Sequence, residues 1–278
     1  MISTKQFNKR LSVPFNEEEA VYLLNTNMRP ASSISQHDSE AIRDLWNETM
    51  KSSLHKYHEQ MKSFTKWLLY RYDIINHLIK KFDYQNYLEI GIRDGKCFSK
   101  INITHKDAVD PEPVREGKEL TNYPISSDDF FNFIKDHDIK YDIIFIDGLH
   151  HDYQVYNDIC NALKHLNLNG TIVCHDMNPL YFVTGAIKRS APGVSQWNGD
   201  CWKAWAKLRT ENPDITMEVI NTDHGVGIIR KGTQQLFEIP DKSLLNIYDG
   251  SATWQLLETH RKELLNLITV DEFLNKYD

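Results

Sequence analysis

Two segments of the chain place acidic and histidine side chains directly after short apolar runs. Asp147 follows the run 141–146, with His150 three residues later, and the pair His175 and Asp176 follows the run 171–174. Nearly continuous apolar runs of this length predict parallel strands that are buried on both faces. The carboxyl ends of such strands meet at the ligand-binding edge of a sheet, so the two acids can face one ion or one substrate. A neutral imidazole beside them can accept a proton near pH 7.

A third segment, 87–95, predicts a strand, a tight turn and the start of a helix. It combines Glu89 with glycines at positions 91 and 95, and a helix-like stretch begins at Lys96. Glycine lets the backbone pass close to a ligand or adopt a positive φ, and a helix N-terminus offers unpaired N–H groups. Asp110 lies 21 residues after Glu89, at the end of a second predicted strand. An acid at that place can accept hydrogen bonds from both hydroxyls of a ribose.

From residue 85 onward, strand-like and helix-like segments alternate, which is typical of a parallel α/β sheet. Strands are predicted at 87–90, 107–110, 141–147 and 171–174, with a further one before Ser126, and helices at 128–135, 153–166 and 200–210. The strands 215–221 and 225–230 are joined by a short turn, which predicts an antiparallel hairpin at the end of the sheet. Nicotinamide-dependent dehydrogenases usually continue their sheets in parallel, and the third glycine of their fingerprint is missing here. That class of enzyme is therefore disfavoured.

The regions on either side of the predicted sheet are expected to be irregular or helical. Residues 1–35 have no regular pattern, while 38–82 carry apolar side chains at intervals of three and four, which predict a helical cap or an oligomer surface. The tail from Lys242 has mostly helical patterns. We therefore predict an N-terminal irregular and helical region at 1–82, a central domain at 83–232 and a C-terminal helical extension at 233–278.

The composition limits the setting and the partners of the protein. The formal net charge is −7 and no basic stripe is present, which argues against a nucleic-acid partner. No apolar run approaches the roughly 18–20 residues of a membrane span. The N-terminus lacks the apolar core of a signal peptide, so a cytoplasmic location is expected. The four cysteines are widely spaced, which predicts free thiols rather than zinc ligands or disulfides.

Taken together, these segments resemble the class I S-adenosylmethionine-dependent methyltransferases, whose sheets carry an antiparallel last strand. Segment 89–95 is similar to their first motif. Segments 145–153 (Phe-Ile-Asp-Gly-Leu-His-His-Asp-Tyr) and 169–176 (Asn-Gly-Thr-Ile-Val-Cys-His-Asp) resemble the members whose fourth and fifth strands end in F-I-D-G-x-H and H-D. The resemblance covers about residues 85–232 and leans toward the sugar O-methyltransferases of polysaccharide and macrolide pathways. It implies a Rossmann-like α/β fold with a mostly parallel sheet, an N-terminal helical cap and a C-terminal helical tail.

The resemblance also implies roles for individual residues. His150 corresponds to the base, and Asp147 and Asp176 to acids that orient the acceptor, directly or through Mg²⁺ or another divalent metal. The family has an acidic pair after the fifth strand, whereas this chain has His175 in place of one acid. The implied metal ligands are therefore Asp147, Asp176 and His175, although Mg²⁺ prefers oxygen ligands. S-adenosylmethionine would be bound by Glu89, Gly91, Arg93, Gly95, Asp110, Ser127, Asp128 and Asp147, with Ser127 and Asp128 near the adenine.

The segment 197–205 contains three tryptophans and follows the fifth predicted strand, which places it at one wall of an acceptor pocket. Aromatic faces suit sugar rings, and Asp200 or Lys203 can hydrogen-bond to hydroxyl groups. For Trp202 and Trp205 the alternative is helix packing, because residues three apart share one face of a helix. The predicted substrate residues are Trp197, Asp200, Trp202, Lys203 and His224.

These observations favour an S-adenosylmethionine-dependent O-methyltransferase that acts on a sugar, a glycan precursor or a related small polar acceptor. One alternative is a methyltransferase with a catechol-like or phosphate-derived acceptor. Another is a non-catalytic module that binds within a glycan-assembly complex, against which the retained strand-end acids argue. Individual groups have structural alternatives as well, a helix N-cap for Asp147 and a packed side chain for His175. A homo-oligomer is compatible with the helical N-terminal region.

Overall fold

The computed structural model describes residues 48, 51–53, 55–56, 69–185, 197–246 and 249–278 of the 278-residue chain. The predicted irregular segment 1–35 and most of the predicted helical segment 38–82 lie outside the described residues. The chain divides into two compact units: the larger contains 66–179, 200–238 and 261–278, and the smaller contains 1–65, 180–199 and 239–260. Within the described ranges, no helix is both long enough and apolar enough to cross a membrane.

The described elements confirm the predicted alternation of strands and helices. They are α1 (Arg71–Phe82), β1 (Asn86–Ile90), β2 (His105–Val109), α2 (Gly117–Leu120), α3 (Ser127–Ile134), β3 (Tyr141–Ile146), α4 (Asp152–His165), β4 (Leu166–Cys174), α5 (Cys201–Glu211), β5 (Ile215–Ile220), β6 (Val226–Lys231), α6 (Trp254–Leu265), β7 (Leu267–Ile268) and α7 (Val270–Tyr277). Two short 3₁₀ helices lie at Phe98–Lys100 and Lys242–Leu244, and α6 is kinked at His260.

One seven-stranded sheet runs through the larger unit in the order β2-β1-β3-β4-β6-β5-β7. Strands β1 to β4 pair in parallel, while β6 is antiparallel to both β4 and β5. This confirms the predicted Rossmann-like α/β sheet with an antiparallel strand near its end. The strand expected before Ser126 is only a parallel bridge between Val109 and Tyr123. Strand β7, which pairs with β5, escapes sequence prediction because it has only two residues.

The strands that lead to the predicted site are buried because helices cover both faces of the sheet. In β3 the side chains of Ile143, Ile144 and Phe145 are all fully buried, which explains the nearly continuous apolar run. Asp142 is the polar exception in this strand. Its Oδ2 accepts hydrogen bonds from the backbone amides of residues 85 and 86 at 3.0 and 2.9 Å, so it fixes the amino end of β1 against β3.

Helix α1 is held in place by the C-terminal helix and by its own first turn. Phe273 of α7 packs in the same core cluster as Ile74 and Leu78 of α1. At the start of α1, the backbone amide of Tyr70 donates to Oδ2 of Asp73 at 2.9 Å, which caps the helix. These contacts fix the position of residue 71, the first residue of α1, relative to the sheet.

The prediction of a helix beginning at Lys96 is wrong. Residues 98–100 form a single 3₁₀ turn instead. The ammonium group of Lys106 donates to the carbonyl oxygens of Phe98 and Ile101 at 2.7 and 3.1 Å. These carbonyls are therefore turned toward β2 and do not accept the bonds that would continue an α-helix. The glycine turn is formed, but no α-helix N-terminus follows it.

The smaller unit has contacts of its own. The backbone amide of Val183 donates to Oγ of Ser53 at 3.0 Å. The rings of Phe182 and Trp254 meet edge to face, with centroids 5.7 Å apart. The regional boundaries predicted at 82/83 and 232/233 stay predictions.

Candidate active site

Three chain segments end side by side at the carboxyl edge of the parallel strands. The backbone amide of Asp147 donates to the carbonyl of Ile90 at 2.9 Å, and that of His175 donates to the carbonyl of Ile146 at 3.0 Å. These bonds extend the ladders by one residue, so strand register determines where Asp147 and His175 stand. At Gly91, which has a φ of 87°, a Cβ atom would lie 2.3 Å from the Asp147 carbonyl oxygen. Glycine is therefore required for the close approach of β1 to the Asp147 turn.

Two histidines and two carboxylates form the centre of the site. Nε2 of His150 lies 3.4 Å from Oδ1 of Asp147, and Nδ1 of His150 lies 3.2 Å from Oδ2 of Asp176. Nδ1 of His175 lies 3.4 Å from the same Asp147 oxygen and 3.2 Å from the same Asp176 oxygen. Both imidazoles thus face the same two carboxylate oxygens. The structure brings together the residues that sequence reasoning selected as catalytic or metal-binding.

Arg71 and Asp223, which sequence reasoning missed, complete this cluster. Nη1 of Arg71 donates to Oδ2 of Asp147 at 2.7 Å, and Nε of Arg71 donates to Oδ2 of Asp223 at 2.9 Å. Nε2 of His175 lies 3.7 Å from the same Asp223 oxygen. Asp223 lies in the β5–β6 turn, which returns to the site edge because these strands are antiparallel. The hairpin prediction could therefore have revealed Asp223, whereas no local sequence signal marks Arg71.

The β5–β6 turn has an unusual backbone that is locked to the neighbouring loop. Asp223, His224 and Gly225 have φ values of 41°, 65° and 90°. The amides of Met177 and Asn178 donate to the carbonyls of Gly225 and His224 at 3.1 and 2.9 Å. Non-glycine residues in the left-handed region are strained and persist where surrounding contacts hold them, which is typical of functional sites. The turn therefore aims Asp223 at the cluster.

The two central histidines favour their charged forms. Burial lowers the pKa of His175, but the carboxylates of Asp176 and Asp147 outweigh this effect and hold the pKa well above its ordinary value. Burial also lowers the pKa of His150, while Asp147 and Asp176 raise it by more, so the net shift is upward. Both imidazoles thus act as cations toward the acids beside them.

The three acids of the cluster favour their ionised forms. Burial raises the pKa of each carboxyl group, but the neighbouring His175 outweighs it, and the net pKa lies below its ordinary value for Asp147, Asp176 and Asp223. Arg71 contributes further to this effect at Asp147 and Asp223. Two imidazolium groups and one guanidinium group therefore balance three carboxylates in a largely buried site. A bound divalent ion would replace the imidazolium protons, because histidine binds a metal only in its neutral form.

The arrangement fits a divalent cation. One ligand atom from each of Asp147, His175 and Asp176 can be chosen so that all three lie within 4.8 Å of one another. Both ring nitrogens of His175 are buried, and although carboxylate oxygens lie 3.2–3.7 Å from them, neither nitrogen makes a well-aligned hydrogen bond to a described residue. Such an imidazole between two carboxylates is a suitable ligand. Mixed nitrogen and oxygen donors favour a transition metal such as Mn²⁺ or Zn²⁺ over Mg²⁺.

Two of the residues predicted to bind the cofactor, Asp110 and Gly95, lie in the segments that follow β2 and β1. Oδ2 of Asp110 accepts a hydrogen bond from the backbone amide of Arg93 at 2.8 Å, and its Oδ1 accepts one from the amide of Glu112 at 2.8 Å. Gly95 has a φ of 78°, and a Cβ atom there would lie 2.7 Å from Cδ1 of Leu120. Asp110 therefore holds the glycine turn in shape, and its carboxylate retains acceptor capacity for further donors.

Glu89 differs from the other predicted cofactor residues because it is almost fully buried, with 1% of its surface exposed. The hydroxyl of Tyr87 donates to Oε2 of Glu89 at 2.5 Å. Burial raises the pKa of Glu89 to about 8 despite this bond. A contact between Glu89 and a ligand stays a prediction.

Ser127 and Asp128, which were predicted to lie near an adenine, start helix α3. Nε2 of Gln154 in α4 donates to Oγ of Ser127 at 3.2 Å and to Oδ1 of Asp128 at 3.1 Å. The side chains are therefore ordered by α4 without a ligand. Their role in adenine recognition stays a prediction.

The residues predicted to line an acceptor pocket lie in different settings. Trp202 is 1% exposed, so its ring packs within the protein. Asp200 is also buried, and its Oδ1 accepts a hydrogen bond from the amide of Asp152 at 3.1 Å. The Lys203 ammonium lies 5.7 Å from the centre of the Trp202 ring. Trp197 belongs to the smaller unit.

His224 is the predicted acceptor residue that lies beside the cluster. Its ring centre is 5.9 Å from that of His175, with the two rings nearly perpendicular. Burial lowers the pKa of His224, which favours the neutral imidazole. Contact with an acceptor stays a prediction for His224 and for the four other residues selected with it.

The central part of the chain matches a known protein family. Residues 88–177 match a family model described as a methyltransferase domain. The match runs from β1 to the loop after β4 and therefore contains the glycine turn, Asp147, His150 and the His175–Asp176 pair. This part of the chain is therefore similar to a methyltransferase domain.

Solved structures with a similar architecture share little sequence with this chain. A candidate caffeoyl-CoA O-methyltransferase from Staphylococcus aureus is 17% identical with a TM-score of 0.45, and the match covers 77% of this chain and 100% of that one. The S-adenosylhomocysteine-bound methyltransferase PaMTH1 from Podospora anserina is 19% identical with a TM-score of 0.42, and the match covers 79% of this chain and 97% of that one. The O-methyltransferase TomG from Streptomyces achromogenes, in complex with S-adenosylmethionine, is 12% identical with a TM-score of 0.43, and the match covers 84% of this chain and 100% of that one. Likenesses this distant carry no argument about the substrate, and no curated protein matches the chain.

Proposed function

We propose that the protein transfers the methyl group of S-adenosylmethionine to a hydroxyl oxygen of a sugar, a glycan precursor or a related small polar acceptor in the cytoplasm. The main support is the position of His150 against Asp147 and Asp176, at the edge where the strands of the methyltransferase domain end. The methyl group of S-adenosylmethionine is already electrophilic because it is bonded to a sulfonium. The protein must therefore align an acceptor oxygen with it, remove one proton and exclude water.

His150 is the proposed base and acts in its neutral form, which a divalent ion bound beside it would favour by lowering the pKa of the imidazole through charge repulsion. Its side chain is 23% exposed, more than that of His175 or Asp176, so a small acceptor can reach it. The carboxylates of Asp147 and Asp176 hold the imidazole in one orientation and stabilise the imidazolium that forms when the acceptor hydroxyl loses its proton. The proton moves from the acceptor oxygen to a ring nitrogen of His150. The oxygen bonds to the methyl carbon as the carbon–sulfur bond breaks, and neutral S-adenosylhomocysteine leaves.

A divalent cation is part of this proposal, with Asp147, His175 and Asp176 as its ligands. When bound, such an ion fixes a hydroxyl oxygen and lowers its pKa. The charges support the assignment once His150 and His175 are neutral, as a base and a metal ligand must be, because Arg71 then offsets one of the three acids and the two others match the charge of one divalent ion. His175 takes the place of a carboxylate, which favours Mn²⁺ or Zn²⁺ at this site.

Replacing Asp110 by alanine is expected to weaken S-adenosylmethionine binding by about tenfold. The change removes the acceptor proposed for the ribose hydroxyls and also releases the backbone amide of Arg93, which Asp110 holds at 2.8 Å. Isothermal titration calorimetry with S-adenosylmethionine gives the dissociation constant directly.

Asp142→Ala is the matched control for Asp110→Ala. Asp142 also accepts two backbone amides, but at the opposite edge of the sheet. We expect it to lose stability and to keep the cofactor affinity of the unmodified protein. Unchanged affinity in Asp110→Ala would exclude the ribose role, and no binding by the unmodified protein would overturn the proposed function.

Titration with Mn²⁺ is expected to reveal one site, and Asp176→Asn is expected to weaken it by at least about tenfold, because a charged ligand is removed. Electron paramagnetic resonance measures the free ion and thus the affinity and stoichiometry. Asp142→Asn, which removes a carboxylate at the opposite sheet edge, is expected to leave both unchanged. Equal Mn²⁺ binding by Asp176→Asn and the unmodified protein would contradict the assigned ligands.

The acceptor class is tested by product formation. Formation of S-adenosylhomocysteine with nucleotide sugars or simple glycosides, and not with catechols, is the expected outcome. Methylation of catechols alone would favour the aromatic alternative. Binding of S-adenosylmethionine without turnover on either class would favour a non-catalytic module.

A further inference from the structure

The Arg71 side chain joins two acids that reach the site from different turns. Its Nη1 donates to Oδ2 of Asp147, while its Nε, its Nη2 and its own backbone amide all donate to the carboxylate of Asp223. A planar guanidinium can make such a pattern because its donors point in fixed directions. A lysine ammonium at this position would lack this fixed fork of donors.

The contact with Arg71 divides the two oxygens of Asp147 between different partners. Oδ2 of Asp147 is taken by Arg71 at 2.7 Å. Oδ1 faces Nε2 of His150 and Nδ1 of His175, each at 3.4 Å. Without the guanidinium, the carboxylate could rotate and present either oxygen, or both, to the centre of the site. Arg71 therefore determines which atom of Asp147 points inward.

Arg71 itself is fixed by the fold. It is the first residue of α1, which is packed into the core through Ile74 and Ile75. The preceding backbone is bonded to the hairpin turn as well, because Oγ1 of Thr222 donates to the carbonyl of Leu69 at 2.7 Å. Neither end of the Arg71–Asp223 contact depends on a ligand. The contact is therefore present before any substrate arrives.

We propose that Arg71, anchored by Asp223, is a positioning residue that presents only Oδ1 of Asp147 to a bound cation and offsets one of three acids, so that the site takes a single divalent ion. This inference rests on the cation site of the proposed function and assigns it two residues outside the ligand set. Partners that orient a metal-binding carboxylate are part of such sites, and their loss typically weakens metal affinity or activity by about 10–100-fold.

The test compares Arg71→Lys, which keeps the charge and loses the fork of donors, with the unmodified protein. We expect Mn²⁺ affinity, measured by electron paramagnetic resonance, to fall by about tenfold. We expect the S-adenosylmethionine dissociation constant to stay within about twofold, because Arg71 contacts none of the residues assigned to that cofactor apart from Asp147. Asp223→Asn is the second variant; it leaves Arg71 in place but weakens its anchor, and a smaller loss of Mn²⁺ affinity is expected.

Arg230→Lys is the matched control. Arg230 also makes several hydrogen bonds, to Tyr84, Thr171 and the carbonyl of Asn169, but at the opposite end of β6. It is expected to lower the unfolding temperature and to leave Mn²⁺ affinity unchanged.

Mn²⁺ affinity that is unchanged in Arg71→Lys, or that falls equally in Arg230→Lys, overturns the inference. Absence of Mn²⁺ binding by the unmodified protein also overturns the inference about Arg71. The proposed methyl transfer is then tested separately by S-adenosylmethionine binding. Loss of Mn²⁺ affinity in Arg71→Lys supports the inference even if S-adenosylmethionine does not bind, an outcome that would overturn the proposed methyl transfer alone.

Discussion

Replacing His150 by alanine is expected to lower kcat for methyl transfer by at least about a hundredfold, the lower end of the contribution of a general base. The S-adenosylmethionine dissociation constant is expected to change little, because the cofactor residues proposed around the glycine turn are untouched. The rate of S-adenosylhomocysteine formation at saturating acceptor measures kcat. Added imidazole is expected to restore part of the rate, since it can occupy the space that the side chain leaves.

His151→Ala is the matched control for this experiment. His151 is the next residue, and its Nδ1 lies 3.9 Å from Oδ1 of Asp200 rather than near Asp147. The variant is expected to keep most of its kcat. Full turnover by His150→Ala, or an equal loss in both variants without rescue by imidazole, would show that His150 is not the base.

The centre of the site could be predicted from sequence because strand geometry alone determines it. Asp147 and the His175–Asp176 pair each follow a short apolar run, and the alternation of strand-like and helix-like segments around it favours a buried parallel strand. Parallel neighbours end at one edge, and their register then places the residue after Ile146 beside the residue after Cys174. Only the type of element and its last residue are needed for this inference, and both are local properties of the sequence.

The rest of the cluster depends on tertiary packing and could not be predicted in the same way. Arg71 reaches Asp147 across 76 residues of sequence, and it does so only because α1 packs where it does. Gly91 also shows that a contact distant in sequence cannot be predicted from a local pattern. Sequence reasoning correctly found a position that requires glycine, but the close neighbour is the backbone of the Asp147 turn. A glycine indicates that the backbone is in close contact with other atoms, but it does not indicate which residue supplies them.

Errors in the predicted fold also arise from contacts distant in sequence or from short elements. The segment after Gly95 carries side chains that suit a helix, yet Lys106 draws its carbonyl groups toward β2. The edge strand expected before Ser126 is reduced to one bridge at Tyr123. At an edge only one neighbour stabilises a strand, so short segments there have little to hold them.

Glu89 is expected to reduce stability at neutral and alkaline pH. Its carboxyl group is 1% exposed, and burial outweighs the hydrogen bond from Tyr87, so that its pKa rises from 4.5 to about 8. Arg71 and Lys106 favour the ionised form and Asp147 disfavours it, without reversing the shift. In the unfolded chain the group ionises near its ordinary pKa. Above that value the unfolded state therefore loses its proton first and is stabilised relative to the folded state.

The free energy of unfolding of Glu89→Gln is expected to equal that of the unmodified protein near pH 4 and to exceed it by about 3–4 kcal/mol near pH 8. Glutamine keeps an acceptor for the Tyr87 hydroxyl and cannot ionise. The protonated Glu89 carboxyl group contributes its full share of stability below the pKa of 4.5 that we take for the unfolded chain. This contribution is lost as the pH rises toward about 8, the pKa of Glu89 in the folded protein. Urea unfolding of the cofactor-free protein at several pH values measures the difference.

Glu218→Gln separates the effect of ionisation from that of burial. Glu218 is also buried and also accepts a hydrogen bond from a tyrosine hydroxyl, that of Tyr277 at 2.8 Å, but its other oxygen is paired with the ammonium of Lys276. Because this charge has a partner, its removal is expected to leave the protein no more stable than before at pH 8. A gain of stability in both variants, or a gain in Glu89→Gln that does not depend on pH, would show that Glu89 is not protonated in the folded protein. A residue that lowers stability at the working pH is often kept for function. The same samples should therefore be titrated with S-adenosylmethionine, and the Glu89→Gln protein is expected to bind this cofactor more weakly than the unmodified protein.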